Sequence, residues 1–194
     1  MTQGWRRCAL LALGMTAALA ACSSPSPVLY TIAPVQGATR VAGPRVIVLE
    51  QIGLERYLDR SQIVQSSENY RLNVLSNDWW GEPLGNMLSR VLVTELGQRL
   101  PQSTVLADGG AVSSTPDATI QLNVQRLDED AAGSVVLHAQ AGVQFKGRKA
   151  PTLQTFHFVV APTAAGVPGE VAAISIALGQ LADGIATMLV TGAH

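Results

Sequence analysis

The sequence predicts a single α+β domain: a mixed or antiparallel β-sheet with a three-strand meander, and two main amphipathic helices packed on it. Three observations lead there. Two segments repeat apolar residues at three- and four-residue spacing, three consecutive segments run as strands in the second half, and no repeat or linker divides residues 28–192. The 194 residues are 47% hydrophobic and 14% charged, which is the apolar content of a folded chain. A domain of this size buries roughly 70% of its unfolded surface, enough for one core.

Val28 to Ala33 carries β-branched and aromatic residues, and Arg45 to Leu49 is a short apolar run after Gly43-Pro44; both read as strands. The unbroken apolar character of the second predicts a strand covered on both faces. Gln62 to Gln65 and Tyr70 to Leu75, separated by the polar Ser66-Ser67-Glu68-Asn69, predict a hairpin. From Leu84 the period changes: Leu84, Met87, Leu88, Val91, Leu92, Leu96 and Leu100 line one helical face, with Asn86, Arg90 and Gly97 opposite. Pro83 suits the first turn and Pro101 marks the stop. Thr104 to Ala107 follows as a short strand. Ile120, Leu122 and Val124 then alternate with polar residues, as do the odd-numbered positions from Val135 to Phe145. Leu153 to Val160 completes the meander, with turns over Asp128 to Gly133 and Gly147 to Pro151. Val171, Ile174, Leu178, Leu181, Ile185, Met188 and Leu189 share the face of a last helix.

The N-terminus has a different character. Arg6 and Arg7 precede Ala9 to Ala21, an apolar stretch broken only by Gly14 and Thr16, in the pattern of a secretory signal peptide. A twin-arginine reading gains nothing from the flanking Trp5 and Cys8. The stretch ends in Leu19-Ala20-Ala21-Cys22, which resembles the lipobox of bacterial lipoproteins. The resemblance implies that Leu19, Ala20 and Ala21 are recognised by the lipoprotein signal peptidase, and that Cys22 carries a diacylglycerol and an N-acyl chain. Several acyl chains at about 0.8 kcal/mol per buried CH2 make a durable anchor. The organisation expected is a signal peptide over residues 1–21, a lipidated cysteine with a Ser/Pro tether over 22–27, and a domain over 28–194. Ser23 rather than Asp after the anchor points to the outer membrane, with the domain facing the periplasm. No unbroken apolar run reaches the roughly 18 to 20 residues of a membrane-spanning helix.

Charge and thiol content narrow the function further. Thirteen basic and fourteen acidic residues give −1, and loss of Arg6 and Arg7 with the signal gives −3. With 5% aromatics and no basic stripe, nothing invites nucleic acid. Cys8 leaves with the signal and Cys22 is consumed as a thioether, so the mature chain offers no thiol for a disulfide, metal or nucleophile. G-x-S-x-G, H-E-x-x-H and the dinucleotide fingerprint are absent. Gly142 and Gly147 have Walker spacing, yet Arg148-Lys149 replaces the Lys-Ser/Thr pair. His138 and His157 sit on adjacent expected strands without a carboxylate motif, a poor metal site. Asp128-Glu129-Asp130 and the Lys146, Arg148, Lys149 group read as solvated hairpin tips, the basic one with phospholipid headgroups or an acidic partner as its functional alternative.

Tyr57-Leu58-Asp59-Arg60-Ser61-Gln62-Ile63-Val64 and Trp80-Gly81-Glu82-Pro83-Leu84, with Leu29-Tyr30-Thr31-Ile32 before them, resemble the signature segments of the ABC-type transport auxiliary lipoproteins, also called the PqiC family. Ser61 stands where the family often has Pro, and Trp79 adds a second tryptophan. The resemblance covers about residues 22–190 and implies a non-catalytic envelope lipoprotein without a cofactor beyond its covalent lipid. Its implied partner is a membrane-spanning protein with MCE domains, in some systems alongside an ABC permease and ATPase, and such systems are thought to move lipid. Tyr57, Leu58, Asp59, Arg60, Trp79 and Trp80 are the candidate partner-binding residues; Asp59-Arg60 is alternatively a structural ion pair, and the tryptophans core packing. Self-association is left open. A stand-alone periplasmic lipid carrier and a lipoprotein hydrolase are the rival readings.

Overall fold

The computed structural model describes residues 26–193, so the expected signal peptide, with Leu19, Ala20, Ala21 and Cys22, lies outside the described residues. Nine strands and two helices follow in the order β1 (Val28–Tyr30), β2 (Val46–Leu49), β3 (Gly53–Leu54), β4 (Gln62–Ser66), β5 (Asn73–Trp80), α1 (Leu84–Arg99), β6 (Thr104–Ala107), β7 (Ala118–Glu129), β8 (Val135–Phe145), β9 (Thr152–Val160) and α2 (Val167–Gly192).

Strand β7 is the spine of one mixed sheet. Along one side it pairs antiparallel with β8, which pairs with β9, giving the expected meander. Along the other side β2, β3 and β4 follow one another parallel to it, at Leu49↔Ile120, Leu54↔Val124 and Ser66↔Glu129. Strand β6 lies outside β2; β5 runs antiparallel to β4, and β1 parallel to β5. The alternation explains which face is covered. Ile120, Leu122 and Val124 on β7 and Leu137, Ala139 and Val143 on β8 are buried, whereas Gln121 and Gln140 are exposed.

Both helices press on that apolar face. The stripe of α1 is inaccessible at Met87, Leu88, Val91, Leu92 and Leu96, and that of α2 at Leu178, Leu181, Ile185 and Leu189. The layers are close enough that a Cβ at Gly184 of α2 would overlap the ring of Phe156 on β9. One-sided coverage corrects the expectation for β2: Ile47 and Leu49 are buried, but Val46 and Val48 on the opposite face stay partly accessible. Helix α2 is also long and apolar enough to cross a membrane, although Ser175 and Gln180 interrupt its apolar run. In the fold, 67% of its most apolar stretch is buried, as in a core helix.

Residues 31–45 form a strap without regular structure across the helices. Ala33 N donates to Ser175 Oγ at 3.2 Å, Val35 N to Glu95 Oε1 at 2.7 Å and Arg40 N to Arg99 O at 2.7 Å. The strap thereby ties α1 to α2 and buries two charged side chains of α1, Glu95 and Arg99.

Candidate partner-binding surface

The two signature segments meet at the base of the β4–β5 hairpin. Gln62 pairs with Trp79, and Trp80 N donates to Ser61 O at 2.7 Å. The register shifts along this pair, and the strand Tyr70 to Leu75 expected from sequence runs instead from Asn73 to Trp80, so both tryptophans belong to β5. Immediately after it Pro83 starts α1, its carbonyl accepting from Asn86 N and Met87 N.

The candidate residues divide by exposure. Leu58 and Trp80 are buried, 2% and 7% exposed, and support the surface from beneath. Tyr57 is half-buried and donates through its hydroxyl to Asp128 Oδ2 at 2.9 Å; burial and then the Asp128 charge push its pKa up. Trp79 is half-exposed, with Nε1 donating to Ser76 O at 3.2 Å. Asp59 is exposed and Arg60 partly so, and among the described residues they form no ion pair with each other. Asp59 instead lines a cleft of about 510 Å³ with Gln51, Leu54, Pro83, Gly85 and Asn86. This cleft is where the first signature segment and the start of α1 share a solvent-facing wall.

A second cleft, of about 440 Å³, lies on the uncovered sheet face among Glu50, Gln121, Asn123, Gln140, Leu153 and Thr155. Sequence reasoning read these amides as a solvated face and singled out none of them. His138 and His157 are paired across β8 and β9, with ring centroids 5.9 Å apart, but no cluster of three metal-ligating side chains exists among the described residues. Gly142 lies within β8 and Gly147 in the following turn, so the Walker spacing falls on no phosphate-binding loop between strand and helix. Lys146, Arg148 and Lys149 are exposed at that turn, with Arg148 5.3 Å from the Phe145 ring centre.

The acidic run is corrected: Asp128 is inaccessible and belongs to β7, whose pairing extends to Glu129. A bulge between Val124 and Arg126 resets the alternation, placing Arg126 and Asp128 opposite His138 and Val136, beneath Tyr57 and Glu68. Arg126 donates to Asp128 Oδ1 at 2.8 Å and to Glu68 Oε1 at 2.6 Å. In the first turn of α2, Glu170 is 1% exposed, and neither carboxylate oxygen has a hydrogen-bond partner among the described residues. Burial pushes its pKa up to about 8, aided by the charges of Glu129, Asp128 and Asp78. Its only sequence signal was its place among apolar residues at the start of the final helix.

The fold and this surface define a class: a two-layer α+β domain whose signature segments meet at one solvent-facing cleft. The family model described as ABC-type transport auxiliary lipoprotein component matches residues 30–186, and the chain belongs to that family. Among solved structures, an uncharacterized protein matches with a TM-score of 0.70 at 20% identity, covering 84% of this chain and 98% of that one. A Xanthomonas campestris protein of the DUF330 family matches with a TM-score of 0.68 at 16% identity, over 85% and 96% of the two chains. At these identities the likeness is one of fold. No curated protein matches the sequence.

Proposed function

We propose that this auxiliary component is an outer-membrane lipoprotein anchored through Cys22 and facing the periplasm. It acts without catalysis by docking onto an MCE-domain partner of an envelope lipid transport system. The observation that carries the reading is the convergence of the two signature segments on the Asp59 cleft, in a chain whose family is defined over 30–186. Asp59 supplies a charged contact in the cleft, and Trp79, partly exposed on β5 outside it, an aromatic one, a composition suited to protein recognition. The lipobox supports the anchor, and Ser23 supports the outer membrane. A carrier would need an enclosed apolar cavity, whereas the two clefts described above open to solvent and carry polar side chains.

The test uses the mature lipoprotein in detergent, with an MCE-domain protein from the same organism as bait. Wild type is expected to be retained, and Asp59→Lys with Trp79→Ala to lose at least ten-fold in affinity at unchanged melting temperature. Failure of the wild type to bind removes the docking reading. Mass spectrometry of the mature N-terminus checks the anchor separately, an acylated Cys22 being expected and an unmodified Ser23 terminus excluding it.

A further inference from the structure

We propose that the tip of the β4–β5 hairpin, Asn69 to Leu72, is a membrane-contact element that seats in the headgroup region of the bilayer holding the Cys22 acyl chains. The proposal rests on the lipidation reading above.

The tip is built against the ordinary preferences of a soluble turn. Arg71 N donates to Glu68 O at 3.1 Å, closing a two-residue turn with positive φ at both central positions, 55° at Asn69 and 61° at Tyr70. That geometry favours Asn-Gly, and a bulky side chain is out of place at the second position. Tyr70 nevertheless occupies it and is fully exposed, and Leu72 is 46% exposed. No packing within the domain repays the strain, and such strain is typical of residues held for function. Tyrosine favours the membrane–water boundary, where its ring meets apolar surface and its hydroxyl stays wet. Arg71 is exposed and free of ion pairs among the described residues, so it is available to lipid phosphate, whereas Glu68 is neutralised by Arg126.

The direction of the chain leaves the anchor within reach of the same place. β1 is parallel to β5, with Val28 opposite Asp78, and is held there by Gly81 N on Tyr30 O and Tyr30 Oη on Asp78 Oδ1. The chain therefore enters β1 from the side of the tip. Cys22 lies six residues before Val28, a reach of about 20 Å when extended; Leu72 lies six residues before Asp78. The tether is long enough for the anchor to stand level with the tip.

The rest of that end presents small side chains to solvent, and the carboxylate of Asp130 there is turned onto its own backbone, accepting from Ala132 N and Ser134 N. Parallel pairing of Ser66 with Glu129 places the turn after β7 and the loop after β9 at the same end, where Ala131, Ala132, Ala161, Ala164 and Ala165 are exposed. The basic turn at Lys146 to Lys149 lies at the other end of β8, away from the anchor. A tyrosine and a leucine are far too little surface for protein docking, which takes roughly 800 Å² on each partner. Beside a lipid anchor they need supply only orientation. The Asp59 cleft, at the hairpin base, is then presented about 25 Å farther from the bilayer, at about 3.3 Å per residue.

The experiment uses the full chain processed in membranes, purified and reconstituted in phosphatidylethanolamine/phosphatidylglycerol vesicles without partner. Leu72→Cys and, as a control at the opposite end, Val112→Cys carry an environment-sensitive fluorophore; quenching by headgroup-spin-labelled lipid is compared. Several-fold stronger quenching at 72 than at 112 is expected. Tyr70→Gly in the Leu72→Cys background should reduce it while raising the melting temperature, since glycine relieves the turn. Equal quenching at the two positions, in protein that is acylated at Cys22 and floats with the vesicles, overturns the tip contact alone. Absence of acylation and flotation overturns the anchor reading and the tip contact with it.

Discussion

Two buried charged side chains, Arg99 and Glu170, are handled by this fold in opposite ways. Arg99 is 1% exposed, yet every nitrogen of its guanidinium is engaged: Nε with Asp183 Oδ1 at 2.7 Å, Nη1 with the carbonyls of Val35 and Glu95, and Nη2 with that of Gly179 at 2.9 Å. A Cβ at Gly37 would collide with it, so the strap leaves room for the guanidinium. Glu170 is equally buried and has no hydrogen-bond partner among the described residues. A buried charge persists when its hydrogen bonds are replaced, and is neutralised when they are not. Arg99 is therefore a charged clasp joining strap, α1 and α2, whereas Glu170 is a neutral carboxyl around pH 7.

The comparison breaks most visibly at Arg99. Arg99→Met keeps much of the volume but removes the guanidinium's bonds to Val35 O, Gly179 O and the part-exposed Asp183 together, untying the strap from both helices, and should destabilise by at least about 3 kcal/mol, as several hydrogen bonds to one charged group are lost. The exposed pair of Arg90 with Glu82, at 2.6 Å, is the control. Arg90→Met should cost less than about 1 kcal/mol. Denaturant melts read both; equal losses would mean that Arg99 contributes no more than a surface ion pair.

Glu170 predicts an effect of pH. Its folded pKa, near 8, lies above its ordinary value of 4.5. Between those values the folded state holds a proton that the unfolded state has lost, so its stabilising contribution is full below about pH 4.5 and disappears as pH rises through 8. Glu95 acts in the same direction up to about pH 7: burial raises it more than the Val35 N–H and Arg99 lower it. Wild type should thus lose up to several kcal/mol between pH 5 and pH 9, at about 1.4 kcal/mol for each pH unit over which one proton is held only in the folded state. Glu170→Gln should flatten much of that slope and exceed wild type at pH 9. Urea melts at three pH values decide; a wild-type slope unchanged by the substitution would show that Glu170 is ionised or solvated.

How far this was legible from sequence depends on what each residue answers to. The stripe from Leu84 to Leu100 and the meander alternation respond to local periodicity, and both appear as read. Glu95 and Arg99 sit seven residues after Leu88 and Leu92, on the same helical face, so their positions announced burial while their chemistry argued for solvent. Only the strap, which has no periodicity of its own, reconciles the two. Asp128 was misplaced at a tip because the bulge at Gln125 interrupts the alternation without a glycine or proline to mark it. Within the candidate surface, the segments 57–64 and 80–84 were legible as a pair. That Leu58 and Trp80 lie beneath the surface while Asp59 faces the cleft depended on long-range strand pairing, which no local pattern contains.

Asp128 lies between the two extremes and gives the smallest effect. It is inaccessible like Glu170, but it accepts from Arg126 Nε at 2.8 Å and from Tyr57 Oη at 2.9 Å. Tyr57→Phe removes one of these two bonds without changing the ring packing, and the Arg126 guanidinium still donates to the carboxylate. The loss should be about 1 kcal/mol, that of a single hydrogen bond, read as a small drop in denaturant midpoint with unchanged m-value. Arg126→Met in the Tyr57→Phe background leaves Asp128 as unpartnered as Glu170, so the double variant should lose more than the two single losses added together. Simple additivity in that cycle would mean that the two partners do not jointly satisfy the buried Asp128 carboxylate.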